Sequence, residues 1–232
     1  MSTIAVSKAE RDDTYREASR EMNGWTARAE KKLLMRLAAA LPDGVTPDQL
    51  TVLGLLGMLL AGAAYALSGR NPLFLHLSNL GLLVNWFGDS LDGTLARYRA
   101  KLRPRYGFYV DHVIDAFGAT AVLGGLAASG LMAPVLAAGL LVTYLLYSVH
   151  TYLQTHVLGR FWLSFGKVGG TELRMLLMIV NLAAMAWPTL AVAGHQVRLL
   201  DLVGGAGGVG LACALVTAVA RTTRALYRLE RV

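Results

Sequence analysis

Asp89, Asp92, Asp111 and Asp115 are the only acids between residues 49 and 171, a long and otherwise apolar stretch. A carboxylate near a bilayer centre costs roughly 2.5–3.5 kcal/mol on insertion scales. Four of them therefore need a compensating cation or a water-filled cavity. Asp89 and Asp92 are three residues apart, and Asp111 and Asp115 four, so each pair shares a helix face. A turn between two consecutive antiparallel helices brings the pairs together at one end. Four carboxylates in one pocket repel and partly protonate unless divalent cations neutralise them. All-oxygen ligands suit hard ions such as Mg²⁺, Mn²⁺ or Ca²⁺, and magnesium tends to share phosphate oxygens. Two such ions would make the clamp on attacking and leaving oxygens that serves phosphoryl transfer. Gly93, Ala96 and Gly107 remove bulk beside the acids, leaving room for a nucleotide. Arg97 suits a bidentate phosphate contact. Read singly, Gly93 is a helix cap and Arg97 a charged anchor; the four aspartates shift both toward the site.

The elements that must position these residues are membrane helices. The chain of 232 residues is 55% hydrophobic and only 16% charged, against about 25% charged in an average soluble domain. Its mean hydropathy is +0.47. A net charge of +7 is compatible with nucleic acid or an anionic membrane surface. The apolar content decides for the membrane and against nucleic acid. Cys213 is the sole cysteine, which excludes a disulfide scaffold and a cysteine-built zinc site. The expected architecture is an all-α integral membrane protein of six transmembrane helices preceded by an N-terminal amphipathic interfacial helix.

Residues 1–48 form a cytoplasmic tail and the interfacial helix, 49–220 the transmembrane catalytic domain, and 221–232 a basic cytoplasmic tail. The first 20 residues lack an apolar leader run. Over 25–41, Trp25, Ala29, Leu33, Leu37 and Leu41 recur on one face with Leu34 beside them, while Arg28, Lys31 and Lys32 lie opposite. Pro42 and Asp43-Gly44 end that helix. The spans are expected at 50–68, 73–92, 108–130, 132–157, 173–193 and 199–220, each near the length a bilayer needs. Thr46 is placed to cap the first, with Pro47 in its first turn. Basic residues crowd the 1–46 segment, the 93–107 break, the 159–171 loop and the C-terminal tail, whereas the opposite loops hold only Arg70 and Arg198. Both termini and the acid cluster are thus expected on the cytoplasmic side. Gly204, Gly205, Gly207, Gly208 and Gly210 make the last span a helix-packing or homodimer face. No internal repeat is evident.

The run Asp89-x2-Asp92-Gly93-x2-Ala96-Arg97-x9-Gly107-x3-Asp111-x3-Asp115 resembles the signature of the CDP-alcohol phosphotransferase family at every fixed position. Thr46-Pro47-Asp48-Gln49-Leu50-Thr51 resembles that family's Thr-Pro-Asn-x-Leu-Thr opening, with Asp48 where asparagine is common. The resemblance implies two divalent metals, Mg²⁺ or Mn²⁺, holding the pyrophosphate of a CDP-linked donor. An alcohol attacks the β-phosphorus, CMP leaves and a phosphodiester forms. By position, Asp89, Asp92, Asp111 and Asp115 would be metal ligands, and Asp115 would also deprotonate the acceptor hydroxyl. Gly93, Ala96, Arg97 and Gly107 would line the CDP site, with Asp48 and Thr51 toward the cytidine. Within the family, CDP-diacylglycerol is the expected donor; transfer of a CDP-linked choline or ethanolamine to diacylglycerol is the alternative.

Four further residues are candidates for the acceptor or a lipid phosphate. His112 follows Asp111 as in choline and ethanolamine phosphotransferases of the family, and its plain reading is a helix-face residue. Lys167, Glu172 and Arg174 flank the fifth span, where Gly169-Gly170-Thr171-Glu172 resembles a Gly-Pro-Thr-Glu stretch of some members; their plain reading is a helix start with a favourable acid. His150, His156, Tyr144, Tyr147, Tyr152 and Gln154 make the cytoplasmic half of the fourth span polar, as an acceptor pocket or an aromatic belt. A divalent-cation transporter is the rival class, because intramembrane acids also mark ion paths. Clustering of all four acids at one end counts against it.

Overall fold

The computed structural model describes residues 27–158 and 169–230. Among these run α1 (Ala27–Ala40), α2 (Pro47–Ser68), α3 (Phe74–Tyr98), α4 (Pro104–Ser129), α5 (Pro134–Leu158), α6 (Gly170–Ala186), β1 (Thr189–Val192), β2 (His195–Arg198) and α7 (Leu199–Leu229). By length and composition α2, α4, α5 and α7 can cross a membrane. α3 carries Asp89, Asp92 and Arg97 toward its C-terminus, and α6 has only 17 residues.

α2 starts where its sequence says it should. Thr46 and Gln49 cap each other reciprocally, at 3.3 and 2.9 Å, and Pro47 occupies the first turn. The helix then runs between α3 and α4, which both pack chiefly on it. Contact on both sides is backbone to backbone. A Cβ at Gly57 would lie 2.5 Å from the Asn85 nitrogen in α3, and one at Gly62 would lie 2.3 Å from the Ala121 carbonyl in α4. Small residues at these positions let membrane helices approach this closely. Toward the other end of α2, the buried Tyr65 hydroxyl meets Asn181 of α6, whose Nδ2 also donates to Asn79 of α3 at 2.7 Å. That triad joins three helices and leaves its own polar atoms satisfied.

Three boundaries differ from expectation. The break at 93–107 shrinks to residues 99–103, because α3 continues through Gly93 to Tyr98 and Pro104 opens α4 directly. The chain turns there with Ala100 at φ 52°. The fifth span stops at Ala186 rather than 193, since Pro188 cannot continue a helix. Thr189–Val192 instead pairs with His195–Arg198 around Ala193 and Gly194, both at positive φ, as a two-residue hairpin turn of the primed kind requires. The tail from 221 is the last part of α7, which stays helical to Leu229.

α1 also presents a different face from the one its four-residue periodicity singles out. Leu34 and Ala38 are buried with Leu50 of α2 and Leu91 and Leu95 of α3, while Leu37 and Leu41 pack at the edge of that cluster. Leu33 is 45% exposed and Ala29 is exposed, so they border the protein contact without joining it. Trp25 lies outside the described residues. Arg28, Lys31, Lys32 and Arg36 line a shallow open surface on the far side. Arg99 secures the turn after α1: its guanidinium donates to the carbonyls of Leu41, Pro42, Asp43 and Val45.

The glycines of α7 divide between two faces. A Cβ at Gly204 would lie 2.7 Å from Met132, and one at Gly208 3.1 Å from Leu140, so these two seat α7 against α5 and the turn before it. Gly205, Gly207 and Gly210 have nothing within 4 Å among the described residues. Asp201 accepts from the Ala133 backbone N–H at 2.6 Å, which ties the start of α7 to the start of α5.

Candidate active site

The polar residues of the motif collect where α1, the start of α2, the end of α3, the start of α4 and the start of α6 come together. Asp92 is the best-held member. One of its carboxylate oxygens accepts from the Thr51 hydroxyl at 2.6 Å, and the other from the Gly93 backbone N–H. Thr51 has a single proton and a longer contact, 3.1 Å, to the Pro47 carbonyl. The shorter, charge-assisted contact is the stronger one. Thr51 therefore serves here as a partner of Asp92 across the α2–α3 contact.

Asp89 and Asp111 both lie near enough to Asp92 to repel it. Asp89 and Asp115 also lie in the neighbourhood of Tyr144, and Asp111 and Asp115 in that of Tyr152, two residues already noted on the polar half of α5. Asp89 has a counter-charge: Arg174 Nη2 donates to its Oδ2 at 2.5 Å, and Arg174 Nε donates to Asn85 Oδ1 at 2.7 Å. Asn85 is fixed in turn by donating to the Gly54 carbonyl of α2. The Arg174 side chain is only 16% exposed, so this is a largely desolvated pair and not a surface contact.

Other motif residues fall close by. Arg97 is exposed and folds back over Gly93, its guanidinium nitrogens 3.7 and 3.8 Å from where a Gly93 Cβ would be. Ala96 is half-buried beside it, and Gly107 lies on exposed α4 surface with nothing within 4 Å of an added Cβ among the described residues. Asp48 pairs with Arg103, both about half exposed, and the Arg103 guanidinium lies 4.2 Å over the Tyr106 ring. Glu172 accepts from the Gly169 N–H at 3.0 Å and so caps α6. His112 Nδ1 lies 2.5 Å from the Phe108 carbonyl, and its ring packs edge-on against Tyr152, tying α4 to α5. Lys167 lies outside the described residues.

The donor set suits hard divalent cations, being all carboxylate and drawn from two helices that flank a third. As the side chains stand, no three Asp, Glu, His or Cys among the described residues converge on one ligating point. Asp89 and Asp92 have oxygens engaged instead by Arg174, Thr51 and the Gly93 N–H. Arg174 is a candidate the sequence offers; what the sequence does not show is its partners, Asn85 and Asp89, 89 and 85 positions away. Asn85 itself is not among the sequence candidates.

Fold and site together define an integral membrane protein of packed helices with its chemistry-bearing acids at one end of the bundle. Residues 44–220 match the model of the CDP-alcohol phosphatidyltransferases, and the chain belongs to that family. It is also similar to archaetidylinositol phosphate synthase of Pyrococcus horikoshii, 36% identical over 103 residues. That match covers 44% of this chain and 52% of the relative, so the chain spans about half the length of the curated relative it matches.

Proposed function

We propose that this protein transfers a substituted phosphoryl group from a CDP-linked lipid to the hydroxyl of a small alcohol in phospholipid synthesis. The acceptor hydroxyl oxygen bonds to the β-phosphorus, the bond to the CMP oxygen breaks, and CMP leaves. The hydroxyl proton passes to Asp115. Asp89, Asp92, Asp111 and Asp115 would hold two Mg²⁺ or Mn²⁺ ions. When bound, such ions neutralise charge on the pyrophosphate and stabilise the leaving oxygen. Thr51 and the Gly93 N–H orient Asp92 for that task, and Arg97 meets donor phosphate where the helix surface is open.

The observation that supports this reading is Asp92 held by Thr51 and the Gly93 N–H across the α2–α3 contact, with Asp89 one turn earlier paired to Arg174. A phosphorylated alcohol is the acceptor class it favours. Arg174 is a largely buried guanidinium set among the acids, and it suits an acceptor phosphate once the acids have metal counter-ions. The relative's name, archaetidylinositol phosphate synthase, points the same way. In this reading the bundle crosses the membrane six times with its active site and both termini toward the cytoplasm, on the strength of the basic residues at that side, and the chain acts as a homodimer.

The test is CMP release by purified protein from CDP-diacylglycerol or its archaeal counterpart, with and without divalent metal, against a panel of alcohols and alcohol phosphates. Metal-dependent release, greatest with a phosphorylated acceptor and lost in Asp115→Asn, is expected. Metal flux into vesicles without CMP release would instead identify a cation transporter.

A further inference from the structure

Glu30 is the one acid of α1, and it lies on the face that meets the bundle, one turn before the buried Leu34. Its Oε1 accepts two hydrogen bonds, from Trp86 Nε1 of α3 at 2.8 Å and from the Thr171 hydroxyl of α6 at 2.6 Å. One carboxylate oxygen thus joins three helices. The two donors stand in a telling register. Thr171 is three residues before Arg174, and Trp86 is next to Asn85 and three residues before Asp89. The Glu30 contacts therefore span the same α3–α6 crossing that Arg174 makes one turn further on, through Asn85 and Asp89.

The first turn of α6 is where such a brace has most to do. Its N-cap is Gly169, which has no side chain with which to bond the first turn, and its local help is the Glu172 carboxylate on the Gly169 N–H. Further along, Asn181 ties α6 to α2 and α3; at the first turn Thr171 on Glu30 precedes Arg174 on Asn85 and Asp89, so a shift of that turn would carry the guanidinium with it. Arg174 reaches two acceptors on α3 through different nitrogens, one of them, Asn85, itself held by the Gly54 carbonyl, so a shift of α6 disturbs both bonds.

We propose that Glu30 is a positioning residue for the transfer reaction: it locks the first turn of α6 onto α3 and thereby sets Arg174 in register with Asn85 and Asp89. This couples the helix that carries the exposed basic face of α1 to the acid cluster by one carboxylate. The kinetic part rests on the reading of Arg174 as the group that meets acceptor phosphate; the structural part does not.

Two measurements separate those parts. The indole N–H resonance of Trp86, identified with Trp86→Phe in ¹⁵N-tryptophan-labelled protein in detergent, reports the hydrogen bond directly. It should shift in Glu30→Ala and stay close to the wild-type position in Glu30→Gln, which keeps an acceptor oxygen. In CMP-release kinetics, Glu30→Ala should raise the KM for a phosphorylated acceptor about tenfold, the scale of a lost hydrogen bond to a charged group. The KM for the CDP-linked donor should change less than about twofold, and Glu30→Gln should restore most of the loss. Thr171→Val, a milder change, should move the acceptor KM in the same direction and serves if Glu30→Ala does not fold. An unmoved indole resonance in Glu30→Ala overturns the brace. A shifted resonance with unchanged acceptor KM overturns the link to Arg174, as does a uniform loss of activity that Glu30→Gln does not rescue. Wild-type protein that releases no CMP under any condition refutes the transferase reading, while the resonance still decides whether the brace exists.

Discussion

Replacing Thr51 by valine tests whether the hydroxyl orients Asp92 or touches the nucleotide. Valine keeps the branched shape and loses one hydroxyl, so packing between α2 and α3 is conserved. The lost contact is the 2.6 Å hydrogen bond to Asp92. Hydrogen bonds to charged groups contribute about 1.5–3 kcal/mol. The other Asp92 oxygen keeps the Gly93 N–H, and the site is only partly buried, so water replaces some of the loss. The low end applies, about 1.5–2 kcal/mol, which is about ten- to thirtyfold in rate. The assay is CMP release over a titration of Mg²⁺ or Mn²⁺ and, separately, of donor. Expected are a lower kcat, a higher metal requirement and a donor KM altered less than about threefold. Thr51→Ser should stay near wild type, because serine supplies the same donor. A rise confined to donor KM would make Thr51 a cytidine contact, as the resemblance alone implies. Full activity in Thr51→Val would refute any role for the Thr51–Asp92 bond.

Arg174→Gln removes the cation from Asp89, so Mn²⁺ binding measured by electron paramagnetic resonance should be as tight or tighter while the acceptor KM rises at least tenfold; weaker Mn²⁺ binding would show that guanidinium and metal do not compete for Asp89. Asn181→Leu leaves the Tyr65 hydroxyl buried without its partner and should lower stability by about 1–3 kcal/mol, read as an earlier thermal transition in detergent; an unchanged midpoint would show that the triad adds nothing. Gly88→Ala places a Cβ 2.4 Å from the Leu50 carbonyl and the Gly54 nitrogen and should cost at least about 1–3 kcal/mol, whereas Gly124→Ala on α4, with nothing within 4 Å of the added Cβ among the described residues, should leave the melting midpoint within about a degree or two. Equal effects of the two alanines would contradict the packing of α2 on α3.

Much of this molecule is local in sequence and so was legible there. Apolar length sets helices α2 to α5 and α7, and the Thr46-Pro47 cap marks where α2 begins. The spacing of Asp89, Asp92, Asp111 and Asp115 places them on two helix ends because a helix repeats every 3.6 residues wherever it sits. What composition could not show is which partner each polar group takes across the bundle. Arg174 on Asp89, Thr51 on Asp92 and Glu30 on Trp86 and Thr171 are separated by 85, 41, 56 and 141 positions. Periodicity on α1 chose Leu33 and missed that Leu34 is the buried one, because a helix with apolar residues on two adjoining sides can turn either toward its neighbours. The neighbours decide: Leu50, Leu91 and Leu95 offer a surface to Leu34 and Ala38. Glu30 is on that same side. An acid between three basic residues reads as part of a solvated face until the bundle supplies two donors within 3 Å of one oxygen. Burial of Leu34 and satisfaction of Glu30 are then one choice of helix rotation, and that rotation carries α1 into the support of the acid cluster.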